Sequence, residues 1–480
     1  MEVEKKYDAI VVGSGPNGLS AAITMQKAGL TTLLIEGADT IGGGTRTKEL
    51  TLPGFRHDVC SAIHPMAMAS PFFKTLSLDD YGLELIHPEI LAAHPLDSGE
   101  SGLLFKDFQK TLQNLGVDKQ SYQSLLSGTI RNLDTLTKDT MGPLRFPKDP
   151  ISLASFGLKA LQPASWIANN FKIPHVKALW AGMAAHGIQP LENWTTSAIG
   201  IMLMAVGHQY GWPIPKGGSQ SIANALERLY KSLGGEIQTG FWFKNIADLP
   251  KHKILILDLT PKQLLQIEGL NFTNGYKKQL QRFRQGMGVF KIDWALSEPT
   301  PFKDNNLSKA GTIHLGNTYE EIAANERLTS QGKNVDKPFV LFSQPSLFDS
   351  TRAPEGKHVA WAYCHVPNGS TEDMTEQIEK QIERFAPGFK DTILAKHTFN
   401  PKELELYNPN YIGGDINGGV MDLSQLYTRP TMSLTPYRTS NSQVYICSSS
   451  TPPGGGVHGM SGFHAARVAL KDHFGVVVSV

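Results

Sequence analysis

The stretch from Asp8 to Glu36 constrains the fold more tightly than any other part of the chain. Asp8 to Gly13 (DAIVVG) is a short β-branched apolar run closed by glycine, the pattern of a buried strand. It enters Gly13-Ser14-Gly15-Pro16-Asn17-Gly18, a GxGxxG turn, which opens a helical segment from Leu19 to Lys27 that stops at Gly29. A second strand, Thr31 to Ile35, then delivers Glu36, 18 residues past Gly18. Each part answers a physical need. Gly13 makes the tight turn, Gly15 lets backbone N–H groups approach a pyrophosphate, and Gly18 lets the helix lie close to the strand. The partial positive charge at the helix N-terminus faces the phosphates. Glu36 is placed to accept hydrogen bonds from a ribose 2′-OH and to repel a 2′-phosphate. The expectation is a dinucleotide-binding βαβ unit with Gly13, Ser14, Gly15, Pro16, Asn17, Gly18 and Glu36 as its contacts.

Two further glycine loops narrow the dinucleotide. Ile41-Gly42-Gly43-Gly44-Thr45-Arg46-Thr47 follows the ribose acid within a few residues. A glycine loop with a hydroxyl and an arginine can wrap the far side of a long cofactor's diphosphate, which NAD-dependent dehydrogenases do not need. GxGxxG, a glutamate and GG-x-T-R together resemble the FAD fingerprint of the glutathione-reductase-like and amine-oxidase-like flavoproteins. Gly43, Gly44, Thr45 and Arg46 therefore join the expected contacts. Near the end of the sequence a strand-like run, Val444 to Ser448, passes through Thr451 to Met460 into a helical segment from Ser461 to Leu470. No acid or return strand follows it. Gly456, Val457, His458, Gly459 and Met460 are expected to cradle the ribityl and flavin end of the same FAD, the alternative being a glycine cap on the last helix.

A middle block completes this domain. Lys216-Gly217-Gly218-Ser219 precedes a helix (Ile222 to Leu233), a strand (Glu236 to Thr239), the segment Phe241 to Ile246, and a strand (Lys253 to Leu259) running into Thr260. Phe243 and Thr260 are added to the cofactor contacts. The chain is thus read as α/β, with a split Rossmann-type FAD-binding domain in residues 1–95, 215–285 and 430–480. Residues 96–214 and 286–429 form the substrate-binding domain. With no other GxGxxG and ribose acid, no separate NAD(P)H domain is expected.

Composition removes other classes. The 480 residues suffice for two or three domains. Forty-five basic residues against 44 acidic give no sign of a nucleic-acid binder. Cys60, Cys364 and Cys447 show no CxxC spacing, which predicts neither a disulfide framework nor a metal site and fits a reducing, cytoplasmic setting. The opening MEVEKKYDAI lacks an apolar signal core. The most hydrophobic run, Ala198 to Val206, is about half a bilayer span. It reads as a core helix or as a surface touching lipid or a greasy substrate, and it is the one hint of peripheral contact with the inner face of a membrane.

With these pieces in place the sequence resembles the phytoene-desaturase-like flavoproteins, and more narrowly the branch of the pyridine nucleotide-disulphide oxidoreductase domain proteins. The stretches that carry the resemblance are GSGPNGLSAA, GGGTRT and PGFRHDVCSAIHPMA, then AAHGIQPLENWTTSAIG, GHQYGWPIPKGGSQSIANAL, NPNYIGGDINGG and STPPGGGVHGMSGFHAA. They span nearly the whole chain. The resemblance implies a glutathione-reductase- and p-hydroxybenzoate-hydroxylase-like plan, in which a mixed β-sheet with covering helices forms the substrate domain. It also implies a two-electron redox enzyme that desaturates or oxidises a hydrophobic small molecule by hydride transfer to flavin N5. Oxygen or a quinone would take the electrons onward.

Candidates near the reacting centre come from the loops. His57, Asp58 and His64 follow the GGGTRT turn, which in the resembling family passes the isoalloxazine. His458 lies in the last glycine loop, and Asp415 in the tight turn Ile412-Gly413-Gly414-Asp415. His64, Asp415 and His458 are the expected catalytic positions, with contact to flavin or substrate expected of the two histidines and no proton transfer assigned. Each also has a structural reading: loop anchoring, turn satisfaction or packing. An amine oxidase, and an FAD-stabilised scaffold without turnover, stand as alternatives.

Overall fold

The computed structural model describes residues 6–426 and 428–479. A parallel five-stranded sheet runs in the order Val444–Ile446, His252–Leu257, Tyr7–Val12, Thr32–Ile35, Glu236–Gln238. Its strands come from the three blocks read from the sequence. Tyr7–Val12 sits at the centre, with Val12 opposite Ile35 on one side and Leu257 on the other. Both faces are covered, which is why four of these strands are nearly continuous apolar runs, the edge strand Glu236–Gln238 being the exception. The helix Pro16–Lys27 packs on one face beside Gln220–Ser232 and the long final helix Met460–Phe474. Gln220–Ser232 turns Ile222, Leu226, Leu229 and Tyr230 inward at helical spacing. The final helix presses on the first through glycine: a Cβ on Gly462 would lie 1.8 Å from the Asn17 carbonyl oxygen.

A second sheet of seven strands is mixed, in the order Ile393–Phe399, Gly288–Leu296, His358–Val366, Val340–Ser343, Ala310–Leu315, Ile90–Pro95, Ser101–Phe105. Ile90–Pro95 pairs in parallel with Ala310–Leu315, so in the sheets the first block ends before Ile90 rather than at residue 95. One face of this sheet is covered by a helical layer that includes Lys119–Arg131, Pro174–Ala185 and Thr196–Tyr210. The α/β class, the Rossmann-type parallel sheet and the mixed sheet with covering helices all match the sequence reading.

The run Ala198 to Val206 lies inside the helix Thr196–Tyr210, where Ile201, Met204, Ala205 and Val206 are buried in the core against Trp180 and Leu179. Its apolar character serves packing, so this hint of membrane contact is withdrawn. Among the described residues no helix is long and apolar enough to cross a membrane.

Candidate active site

The GxGxxG turn folds as its spacing requires. Gly13 has φ +96°, a region open to glycine, and a Cβ on Gly18 would lie 1.8 Å from the Gly13 carbonyl oxygen. Gly15 and Gly43 face each other across the cradle: a Cβ on Gly43 would come within 3.0 Å of Gly15 Cα. Glycine at both places leaves the groove open. Gly44 serves another purpose, because the Tyr411 hydroxyl fills the space of its missing side chain, 2.3 Å from where a Cβ would stand.

Glu36 is poised at the groove. Its Oε2 accepts from Ser14 N at 2.9 Å and from the Ser14 hydroxyl, and its Oε1 accepts from Ala38 N at 2.9 Å and pairs with Arg46 at 3.2 Å. A carboxylate offers about four acceptor positions. A ribose diol would reach Glu36 by displacing the Ser14 hydroxyl or Arg46. Asn17 Oδ1, also in the groove wall, is buried with no hydrogen-bond partner among the described residues.

One carboxyl here was not foreseen. Asp258 follows the strand His252–Leu257, the central strand's neighbour, and its Oδ2 accepts from Gly18 N at 3.0 Å. Burial pushes its carboxyl up to about 7, against the Gly18 N–H that lowers it, and the charge of Glu36 adds to the rise. The signal was present: an acid at the carboxyl end of a strand beside the fingerprint strand lies where open α/β sheets bind ligands.

A single cavity of about 560 Å³ runs from this groove into the second domain. Its near end is walled by Gly13 to Asn17, Glu36, Gly43, Gly44, Arg46 and Phe243, and the last glycine loop contributes Gly456 and Val457. Its far end is walled by Met66, Leu203, Trp212, Leu341, Trp361 and Tyr363, with His186 and Thr312 among them. Trp361 and Tyr363 stand two apart on one strand with rings parallel and centroids 5.9 Å apart. Met66, His186 and Trp212 lie in stretches that carry the resemblance, but nothing in those stretches marks them as cavity wall, since a residue walling a cavity and one packed in the core share the same apolar character.

Other expected contacts lie off the wall. Gly18 packs helix on strand, and Thr45 is buried with its hydroxyl donating to Gly42 O at 2.8 Å. Thr260 N donates to Asn410 Oδ1 at 3.0 Å. A Cβ on Gly459 would strike Ser20 Oγ at 2.0 Å, and Met460 starts the final helix.

The three catalytic candidates are not brought together at the cavity; His64 alone is in its wall. Ser219 Oγ donates to Ser61 O at 2.6 Å, so it accepts at 2.7 Å from His64 Nε2, fixing the proton there. Burial pushes His64 down to about 4, so its ring is neutral at pH 7. His458 is buried, its Nδ1 accepts from Met460 N at 3.1 Å, and burial pushes it down to about 4. It caps the last helix. Asp415 accepts from the N–H groups of Gly286, Asn417 and Gly419 at 2.7, 2.9 and 2.9 Å. Burial still pushes its carboxyl up. It holds a turn together.

Residues 11–76 match the family model of the NAD(P)-binding Rossmann-like domain. Over 98% of this chain and 94% of the relative, the sequence is 24% identical to pyridine nucleotide-disulfide oxidoreductase domain-containing protein 2 of Rattus norvegicus. It is 21% identical to a phytoene desaturase (lycopene-forming) of Pseudescherichia vulneris, over 96% of this chain and 98% of that protein. The chain is an oxidoreductase similar in sequence to the phytoene desaturases. The fold of this oxidoreductase is similar to that of putrescine oxidase bound to putrescine, with a TM-score of 0.64 over 98% of this chain and 100% of that one at 16% identity. That likeness is one of fold.

Proposed function

We propose that the protein is an FAD-dependent oxidoreductase that desaturates or oxidises a hydrophobic small molecule and passes the electrons to oxygen or a quinone. The observation that carries this reading is the continuity of the cavity, which joins a dinucleotide groove to an apolar chamber between helices and sheet. The groove fits the cofactor by its own features: opposed Gly15 and Gly43, the unpartnered Asn17 Oδ1, and a carboxylate at the ribose position. FAD, when bound, supplies a two-electron acceptor. The chain's own residues do the rest. Gly15, Asn17, Glu36 and Arg46 hold the nucleotide, Gly456 and Val457 close the groove beyond it, and the apolar wall excludes water. His64, neutral and tied to Ser219, is a positioning group at the wall.

The amine-oxidase alternative is less well supported. A cationic amine calls for a carboxylate or an aromatic cage; among the described cavity residues the carboxylates are Glu36 and Asp258, both at the groove end, which leaves aromatic faces alone to hold it in the chamber. A cytoplasmic protein meeting a lipid-soluble substrate at a membrane surface is consistent with this reading.

The test is an absorption spectrum of the purified protein, then anaerobic mixing with polyene, alcohol and amine panels. Flavin bands that bleach with an apolar alcohol or polyene are expected. A protein colourless even after reconstitution with FAD overturns the proposal. Gly15→Val provides the control. Its side chain fills the groove beside Asp258, so we expect a folded protein with wild-type circular dichroism whose flavin absorbance is lost.

A further inference from the structure

The far end of the cavity holds a histidine pair that the reading above leaves unused. His186 caps the C-terminus of the helix Pro174–Ala185 and lines the chamber beside Leu203, Trp212 and Thr312. Its Nε2 stands 3.0 Å from Nε2 of His314, on the strand Ala310–Leu315. Both rings are neutral. Burial pushes His186 down to about 3, and burial, with His186 and His94 as neighbours, pushes His314 well below its usual value. Two neutral imidazoles meeting at Nε2 share one proton, so one ring carries N–H at Nε2 and the other at Nδ1.

His314 decides which. Its Nδ1 is buried with no partner and is packed so tightly on Gly182 that a Cβ there would come within 2.4 Å, leaving no room for water. An N–H at that position would be an orphaned buried donor, which folded proteins almost never tolerate, whereas a bare lone pair is the lesser loss. His314 therefore donates from Nε2 and His186 accepts, which puts the His186 proton on Nδ1. That atom has no hydrogen-bond partner among the described residues and, unlike Nδ1 of His314, is not sealed off. Thr312 lies on the same face of the strand as His314. Its hydroxyl oxygen accepts from Trp212 Nε1 at 2.9 Å, so its own proton is uncommitted. The far end thus presents donors in an otherwise apolar wall.

We propose that this end of the cavity is a subsite for an uncharged oxygen acceptor, so that the substrate is a hydrophobic molecule ending in a carbonyl or hydroxyl group. A carboxylate would be buried there with no cation among the far-end residues Met66, His186, Leu203, Trp212, Thr312, Leu341, Trp361 and Tyr363, and an ammonium would meet donors instead of acceptors. The proposal rests on the reading that the chamber holds the substrate. It goes further by naming the end group that is recognised.

The experiment compares 2-decanone, 1-decene and decylamine as ligands of the purified protein, by thermal-shift titration and by the infrared carbonyl stretch of bound ketone. Wild type is expected to bind the ketone about tenfold tighter than the alkene, the worth of one well-made hydrogen bond, with the carbonyl band moved to lower wavenumber. His186→Phe keeps the volume and removes the donor, so the preference and the band shift should both vanish while alkene binding stays. His186→Gln can accept from His314 and still donate, and should restore both. Equal binding of ketone and alkene by wild type, or a preference unchanged in His186→Phe, overturns the subsite alone. A flavin-bound protein that takes up none of the three ligands overturns the subsite and the substrate chamber together. A protein that never binds flavin but keeps the ketone preference leaves the subsite standing and overturns the oxidoreductase chemistry.

Discussion

Asp258→Asn is expected to raise the thermal midpoint by a few degrees at pH 8, by about a third of that at pH 5, and to leave it nearly unchanged at pH 4. The carboxyl's value rises from 3.8 to about 7 in the fold because it is buried beside the nucleotide groove. The neutral acid is therefore the form the fold prefers. Its contribution is fully present below about pH 4 and is lost as pH rises through 7. A shift of that size corresponds to about 4 kcal/mol. Asparagine keeps an oxygen to accept from Gly18 N, now 3.0 Å from the carboxyl, and never ionises, so the gap between the two proteins should open between pH 4 and 7. The same charge bears on the cofactor. Above pH 7 the ionised Asp258 and Glu36 both face the place where a diphosphate would sit, so wild-type affinity for FAD should fall with rising pH while the variant's stays flat. Fluorescence titration with FAD at pH 6 and pH 8.5 checks this, and parallel slopes for the two proteins would show that Asp258 remains protonated or lies out of reach.

How much of this was legible depends on whether a residue acts through the backbone or through its surroundings. Gly13, Gly15 and Gly18 were readable because a tight turn, a close approach and a helix–strand contact each leave no room for a Cβ. The strands were readable because a parallel sheet buried on both faces demands apolar runs, and the predicted and observed ends differ by a few residues at most. Glu36 was readable from its distance to the turn. His458 and Asp415 were singled out for their polarity beside glycine, but polar residues in glycine-rich turns often serve only the turn, and both are tied to nearby N–H groups. His186 lies in the stretch AAHGIQPLENWTTSAIG, but nothing in its spacing points to a partner. Its role comes from His314, 128 residues away in sequence, and from a tautomer that packing against Gly182 dictates. Pairings of that kind are made by the topology and cannot be found from spacing.

Asp58 illustrates the same limit with a larger expected effect. It lies on the short hairpin strand Arg56–Asp58, fully buried. Its Oδ1 accepts from Thr47 Oγ1 and Ser219 N, each at 2.7 Å, and its Oδ2 accepts from Arg352 at 2.6 Å. One carboxylate thus ties the first glycine block, the start of the helix Gln220–Ser232 and a loop of the second domain. Burial alone would push this carboxyl up, but Arg352 and the two other donors hold it below the usual range. The sign is opposite to that of Asp258: the contribution of Asp58 is present above about pH 4 and lost as acid protonates it. Asp58→Asn should therefore cost about 3–5 kcal/mol at pH 7, because it turns an amide N–H toward Arg352 and leaves a buried guanidinium unpaired. Arg352→Met alone should cost a similar amount by stranding the carboxylate. Together the two changes should cost less than either, since a buried pair replaced whole leaves no orphaned charge. Denaturant unfolding of the four proteins checks the cycle, and additive losses would mean that the two side chains are not coupled. The loss should also reach the cavity. Asp58 holds Ser219, and Ser219 Oγ fixes His64 at 2.7 Å. In Asp58→Asn the His64 ring should lose its single tautomer, visible by NMR as a ring-nitrogen shift averaged between the two forms.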